Sequence, residues 1–142
     1  MKMPYRAELK VRFADIDHAG IVYYPRFVHY FHVAMEEFFS EALGVDYSRV
    51  LDEQRFGLPT VRLETDFRRP LRYGDRIEIE VAVEGIGVTS IHWRYRVFKR
   101  GEAELVALGR IVTAGLDLDR FVKREVPQWL RDALAPHLVA TP

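Results

Sequence analysis

Cysteine is absent from the sequence, which excludes disulfides, thiol nucleophiles, zinc ribbons and iron–sulfur clusters. Neither sign of charge is in excess, since 21 Lys and Arg face 21 Asp and Glu. A chain that grips nucleic acid through its phosphates normally carries a basic surplus, so that class of partner is not expected. No run approaches the roughly 18 apolar residues that a membrane-spanning helix needs. No apolar stretch of signal-peptide length follows Lys2. Internal repeats, low-complexity tracts and linkers are also missing. What is present is globular in composition: 142 residues, 49% hydrophobic and 30% charged. A chain of that length buries about two thirds of its unfolded surface. The expectation is one domain over residues 1–142, cytoplasmic, without cofactor and without a nucleic-acid or membrane partner.

Hydrophobic periodicity divides the chain. Residues 5–13 alternate, with Leu9, Val11 and Phe13 on one face and Glu8, Lys10 and Arg12 on the other, as a half-buried strand does. After a loop, Pro25 stands where its missing N–H costs nothing, at the first position of a helix. Phe27, Phe31, Ala34, Phe38 and Ala42 then recur at three- and four-residue steps, widened by Tyr30, Met35 and Phe39. Gly44 is the natural stop. A shorter helical or irregular piece is expected over residues 47–56. From Val61 the period becomes two and stays there through strands near 61–68, 77–84, 91–97 and 103–114. Their short connections predict an antiparallel meander. A short terminal helix follows Pro127, and the tail over residues 140–142 is expected to fray.

One strand, one long aromatic helix and about four further strands make an α+β fold, in which a curved antiparallel sheet of about five strands wraps the helix. Phe98 and Val106 interrupt the polar parity of their strands, and an open sheet has edges to protect. Both features point to a homo-oligomer.

The stretch over residues 12–27 carries the chemistry. Asp15, Asp17 and Gly20 match the first, third and sixth positions of a calcium loop, but Arg26 occupies the position where a bidentate Glu is required, so calcium is rejected. A catalytic arrangement fits better. The first N–H groups of a helix are unsatisfied and carry partial positive charge, so they can hold a developing oxyanion. Gly20 removes side-chain bulk near that approach, and Pro25 fixes where the helix begins. Asp17 then serves as nucleophile or as general base toward the same carbonyl. The plain reading is that the two aspartates and the glycine only build a turn ahead of a helix.

The pattern Asp-x-Asp-x-x-Gly-Ile-Val-Tyr-Tyr-Pro over residues 15–25, followed by an aromatic helix, resembles the hotdog-fold acyl-CoA thioesterases of the 4-hydroxybenzoyl-CoA thioesterase type. The segment Phe67-Arg68-Arg69-Pro70-Leu71-Arg72-Tyr73-Gly74-Asp75 is similar to a later passage of the same family. The resemblance implies cofactor-free hydrolysis of a CoA thioester by dimers and usually tetramers. It assigns the catalytic carboxylate to Asp17 and the polarising backbone N–H to Tyr24. Many bacterial relatives carry His where Tyr24 stands, so the resemblance gives this chain no His-assisted mechanism and leans it toward aromatic acyl groups. The other reading is a non-catalytic hotdog module that binds an acyl-CoA or a protein.

The remaining candidates have two readings each. Asp15 orients the loop. His18 either lines the pocket or is solvated, and Tyr23 and Tyr24 either shape an acyl pocket or join the core. Arg68 and Arg69, with Arg72, form a basic run that suits the phosphates of CoA, or is balanced by Asp66, Asp75 and Glu64. By resemblance the residues after Gly87, including Thr89 and Ser90, lie along the CoA path, so both join Gly20 as substrate-binding candidates. His29, His32 and Glu36 have metal-ligand spacing, but they lie opposite the apolar stripe and are read as surface, with no metal site expected. Glu37 is the reserve carboxylate, because another hotdog branch uses one on the central helix.

Overall fold

A computed structural model describes residues 4–140. Residues 1–3 and 141–142 of the expected domain, and most of the tail expected to fray, lie outside the described residues. Strand β1 (Tyr5–Lys10) leads through the aspartate loop to helix α1 (Arg26–Phe38), then α2 (Tyr47–Asp52), β2 (Phe56–Gly57), β3 (Thr60–Phe67) and β4 (Arg76–Ile86). The chain continues through β5 (Ser90–Lys99), β6 (Leu105–Ala114), β7 (Leu116–Asp117), β8 (Val122–Lys123) and α3 (Gln128–Leu134). No helix among the described residues is long and apolar enough to cross a membrane.

The helix forms where the aromatic stripe demands it. Phe27, Tyr30, Phe31, Ala34, Met35 and Phe38 are its buried residues. Pro25 stands one position earlier than expected, as the cap rather than the first helical residue. A single π-helical turn (Phe39–Leu43) continues the rod, and Gly44 ends it at φ +75°, a left-handed value that glycine adopts without strain. The stripe packs on the inner face of the sheet. Phe31 stacks on Tyr95 with ring centroids 5.1 Å apart, and Phe38 meets Trp93 edge-on at 5.9 Å. Gly109 of β6 lets Phe31 in, because a Cβ there would stand 2.5 Å from Phe31 Cε2.

The sheet is five-stranded and antiparallel, in the order β1-β4-β5-β6-β3, and a small sheet of β2, β7 and β8 accompanies it. The expected meander holds for β4, β5 and β6 but not for β3. That strand pairs with β6, placing Phe67 opposite Ala107, and forms the edge farthest from β1. The connection from β3 to β4 therefore crosses the end of the β5–β6 hairpin, where the N–H groups of Arg68 and Arg69 both donate to the Val106 carbonyl. The first expected strand is also shorter than its alternation, since Phe13 begins a 3-10 turn and lies exposed against Tyr73.

The outer face of the sheet corrects one argument for association. Phe98 is buried beneath the guanidinium groups of Arg6 and Arg96, and Val106 is buried within the chain. Neither needs a second copy to cover it. The unmet surface is on β3, whose outer edge has no strand partner among the described residues and whose Val61, Leu63 and Phe67 are exposed.

Candidate active site

The loop between β1 and α1 folds back on itself as a tight hairpin. Ile16 bridges to Val22, the Asp17 N–H donates to the Ile21 carbonyl at 2.9 Å, and the Gly20 N–H donates to the Asp17 carbonyl at 3.0 Å. Gly20 has φ +83°, and a Cβ there would meet nothing within 4 Å. Within the chain the turn needs the left-handed backbone conformation of Gly20, since no protein atom crowds that position. Asp17 Oδ1 accepts the Ala19 N–H at 2.8 Å, so this oxygen fixes the turn while Oδ2 stays uncommitted among the described residues. Asp17, His18 and Gly20 all stand exposed at the tip.

The two motifs meet in space. The Val22 N–H donates to the Leu71 carbonyl at 2.8 Å, and Ile21 bridges to Arg72. Between the segments lies a cavity of about 260 Å³ walled by Ile21, Val22, Tyr24 and Phe27 of the first and Phe67, Arg68, Arg69, Pro70 and Leu71 of the second. Its aromatic wall is continuous. Phe67 lies edge-on to Phe27 at 5.2 Å and to Tyr24 at 6.4 Å, and Tyr23 lies edge-on to Tyr24 at 5.3 Å.

At this cavity α1 begins. The N–H groups of Arg26, Phe27 and Val28 turn back onto the carbonyls of Tyr23, Tyr24 and Pro25 at 2.8, 3.2 and 3.1 Å. Pro25 has no N–H. The Tyr24 N–H therefore remains as a donor without a partner among the described residues, on a residue that lines the cavity. An unpaired donor beside the positive end of a thirteen-residue helix is suited to a carbonyl oxygen that gains charge.

Asp15 orients the loop by more than its backbone. It is 7% exposed, accepts the Arg12 N–H and the Tyr30 hydroxyl on Oδ2 at 2.9 Å each, and has Arg26 Nε 3.8 Å from Oδ1. Burial, then the hydrogen bond to Asp15, pushes the Tyr30 hydroxyl above the ordinary tyrosine range, so it remains a donor. By periodicity alone Tyr30 is only a member of the apolar stripe. Its signal was a hydroxyl on a buried face, which needs an acceptor. Phe67 was likewise read as a strand residue, although its position just before the arginine run placed it in the second motif.

The other candidates separate. Arg68 lines the cavity with no ion pair among the described residues, whereas Arg69 is held by Glu102 at 3.1 Å and Glu104 at 3.5 Å. These two glutamates, rather than the expected Asp66, Asp75 or Glu64, balance Arg69. Thr89 lies in the β4–β5 turn and Ser90 opens β5, both at the far end of β4 from the Asp17 loop. An eleven-residue strand puts those ends roughly 33 Å apart. His32 pairs with Glu36 at 3.2 Å. Glu37 lies three turns along the helix beside Glu41, which raises its carboxyl pKa by hydrogen bonding and charge.

Residues 11–134 match the family described as the thioesterase-like superfamily. The chain is 30% identical over 131 residues to the 1,4-dihydroxy-2-naphthoyl-CoA hydrolase of Synechococcus elongatus, covering 92% of this chain and 94% of that one. It is 34% identical over 100 residues to the protein of the same name from Picosynechococcus, covering 70% and 68%. In structure it resembles a 1,4-dihydroxy-2-naphthoyl-CoA thioesterase from Synechocystis, with a TM-score of 0.83 at 25% identity over 93% of this chain and 96% of the other.

Proposed function

The chain belongs to the thioesterase-like superfamily and is an acyl-CoA thioesterase, and from that premise we propose that its acyl group is aromatic and that Asp17 and the Tyr24 N–H carry the reaction. The observation that supports this most is the Tyr24 N–H, unpaired among the described residues, at a cavity whose walls come from both motifs and seven residues along the chain from Asp17.

In this reading the thioester carbonyl oxygen accepts from the Tyr24 N–H, which polarises the carbon and stabilises the tetrahedral oxyanion. Asp17 either takes a proton from the attacking water or attacks the carbon itself to form a mixed anhydride. Collapse breaks the C–S bond, and CoA leaves as a thiolate that gains a proton; the anhydride route then ends with water. The aryl ring of the acyl group meets the edges of Tyr24, Phe27 and Phe67, a geometry aromatic pairs favour. The curated relatives act on a naphthoyl-CoA by name, which supports the aromatic class.

A second copy completes the site in the same proposal. The free β3 edge and the exposed Leu63 and Phe67 favour antiparallel pairing of two β3 strands about a twofold axis. The Thr60 end of β3 shares its end of the sheet with Thr113 and Ile91. Such pairing therefore brings the Thr89 and Ser90 turn of one copy toward the Tyr24 cavity of the other, with Arg68 on its rim. His18, Tyr23 and Gly20 flank the same approach. The reading extends to a cytoplasmic location, which a CoA substrate favours and cell fractionation checks.

The deciding experiment is thiol release from acetyl, long-chain, benzoyl, hydroxybenzoyl and 1,4-dihydroxy-2-naphthoyl CoA, with Asp17→Asn beside the parent. Preference for aryl esters and loss of turnover in the variant are the expected results. Equal rates for both proteins on every ester would remove Asp17 from the mechanism.

A further inference from the structure

Between the adjoining ends of β1 and β4 and the flank of α1 lies a cavity of about 410 Å³, larger than the 260 Å³ cavity beside Tyr24. Lys10, Arg12, Arg76 and Arg100 all contribute to its wall. None of these four has a carboxylate within ion-pair distance among the described residues. Arginines elsewhere in the chain are treated differently. Arg6, Arg94 and Arg96 converge on the buried Glu80, Arg110 meets Glu84, and Arg69 meets Glu102 and Glu104.

Two carboxylates share the cavity, Glu8 and Asp15. Asp15 is already committed to the Tyr30 hydroxyl, the Arg12 N–H and Arg26. Four basic side chains thus share the cavity with one uncommitted carboxylate in a protein whose formal net charge is zero. A local surplus of that kind, in a concave and partly enclosed space, concentrates anions. Guanidinium groups match the oxygens of a phosphate in paired hydrogen bonds, and a space of this volume exceeds what one carboxylate fills.

We propose that this cavity binds a phosphate or pyrophosphate group. Two sources carry that chemistry, a free anion or the nucleotide end of a CoA thioester. The site adjoins the catalytic loop through Asp15, whose side chain lines the cavity while its carbonyl accepts the Tyr23 N–H at 2.9 Å. Asp15 thus joins the cavity wall to the residue that precedes the Tyr24 donor.

Calorimetric titration of the full chain with sodium pyrophosphate, against chloride of matched ionic strength, tests the site without any turnover, so its outcome is separate from that of the hydrolysis reading. Saturable binding is expected, weakened at least about tenfold in the double variant Arg76→Gln/Arg100→Gln. Arg120→Gln, an exposed arginine of the β7–β8 turn, should bind as the parent does. Circular dichroism verifies that both variants fold. Absence of saturable binding, or equal binding by parent and double variant, would overturn the proposal. Kinetics on a CoA thioester and on the matching pantetheine thioester, which lacks the nucleotide, separate the sources. A KM increase confined to the CoA ester assigns the site to the substrate's nucleotide, whereas an unchanged KM with the calorimetric loss intact assigns it to a free anion.

Discussion

The Tyr30 hydroxyl donates to Asp15 Oδ2 at 2.9 Å, tying the second turn of α1 to the loop that presents Asp17. A buried carboxylate cannot fall back on water, so each protein donor matters. Tyr30→Phe should cost about 1–3 kcal/mol in urea unfolding, and thiol release should fall with it because the loop loses a tether. A variant of parental stability and rate would show that Arg12 and Arg26 suffice for Asp15.

Asp17→Asn separates chemistry from folding. An amide oxygen still accepts the Ala19 N–H, so the turn survives, but the group is neither base nor nucleophile. Thermal unfolding should match the parent while turnover falls by about 10²-fold or more. Asp17→Ala removes the turn's hydrogen bond too and should lose a further ~1 kcal/mol of stability.

Gly20→Ala should cost about 1–2 kcal/mol although the new methyl meets nothing, because φ +83° is a left-handed conformation. Gly20→Asn should lose less, since Asn tolerates that region better. Equal losses in the two variants, measured by urea titration, would point to a steric cause instead.

Gly109→Ala acts in the core. Its Cβ would press on Phe31, at 2.5 Å from Cε2 and 2.7 Å from Cζ. Overpacking of this kind costs about 1–3 kcal/mol, and Phe31 has little room to yield because it is fully buried against Tyr95. A lowered melting temperature is the expected readout.

Leu63→Arg places a charge on the exposed face of the edge strand β3. Sedimentation should show monomer where the parent sediments as a dimer or larger, and turnover should fall with assembly. A parent that is monomeric at micromolar concentration would defeat the two-copy site.

The helix and its stop were legible because each rests on local chemistry: Phe27, Phe31, Ala34 and Phe38 at helical steps, and Gly44 able to turn left-handed. Asp17, Gly20 and Tyr24 were placed on one loop for the same reason. Strand order was not legible. Alternation in residues 61–67 fixes which side chains share a face, but it carries no information on which neighbour will supply hydrogen bonds, or whether that face is covered. Leu63 and Phe67 alternate like core residues yet lie exposed. The pairing of Tyr30 with Asp15 and the meeting of Lys10, Arg76 and Arg100 at one cavity depend on distant elements coming together, which periodicity does not encode.

The crossing of the β3–β4 connection over the β5–β6 hairpin sets an order of events. Strands β4, β5 and β6 can zip sequentially through short turns, whereas joining Phe67 to Ala107 closes a loop of about forty residues and carries a larger entropic cost. The pairing of β3 on β6 then follows the meander, as does that of β1 on β4, where Lys10 and Arg76 are still farther apart in sequence. Until that step the β6 edge is bare and β3 is unrestrained, so the chain is most open to aggregation late in folding rather than at collapse. Stabilising the β3–β6 register should therefore raise the yield of refolding more than it raises the melting temperature.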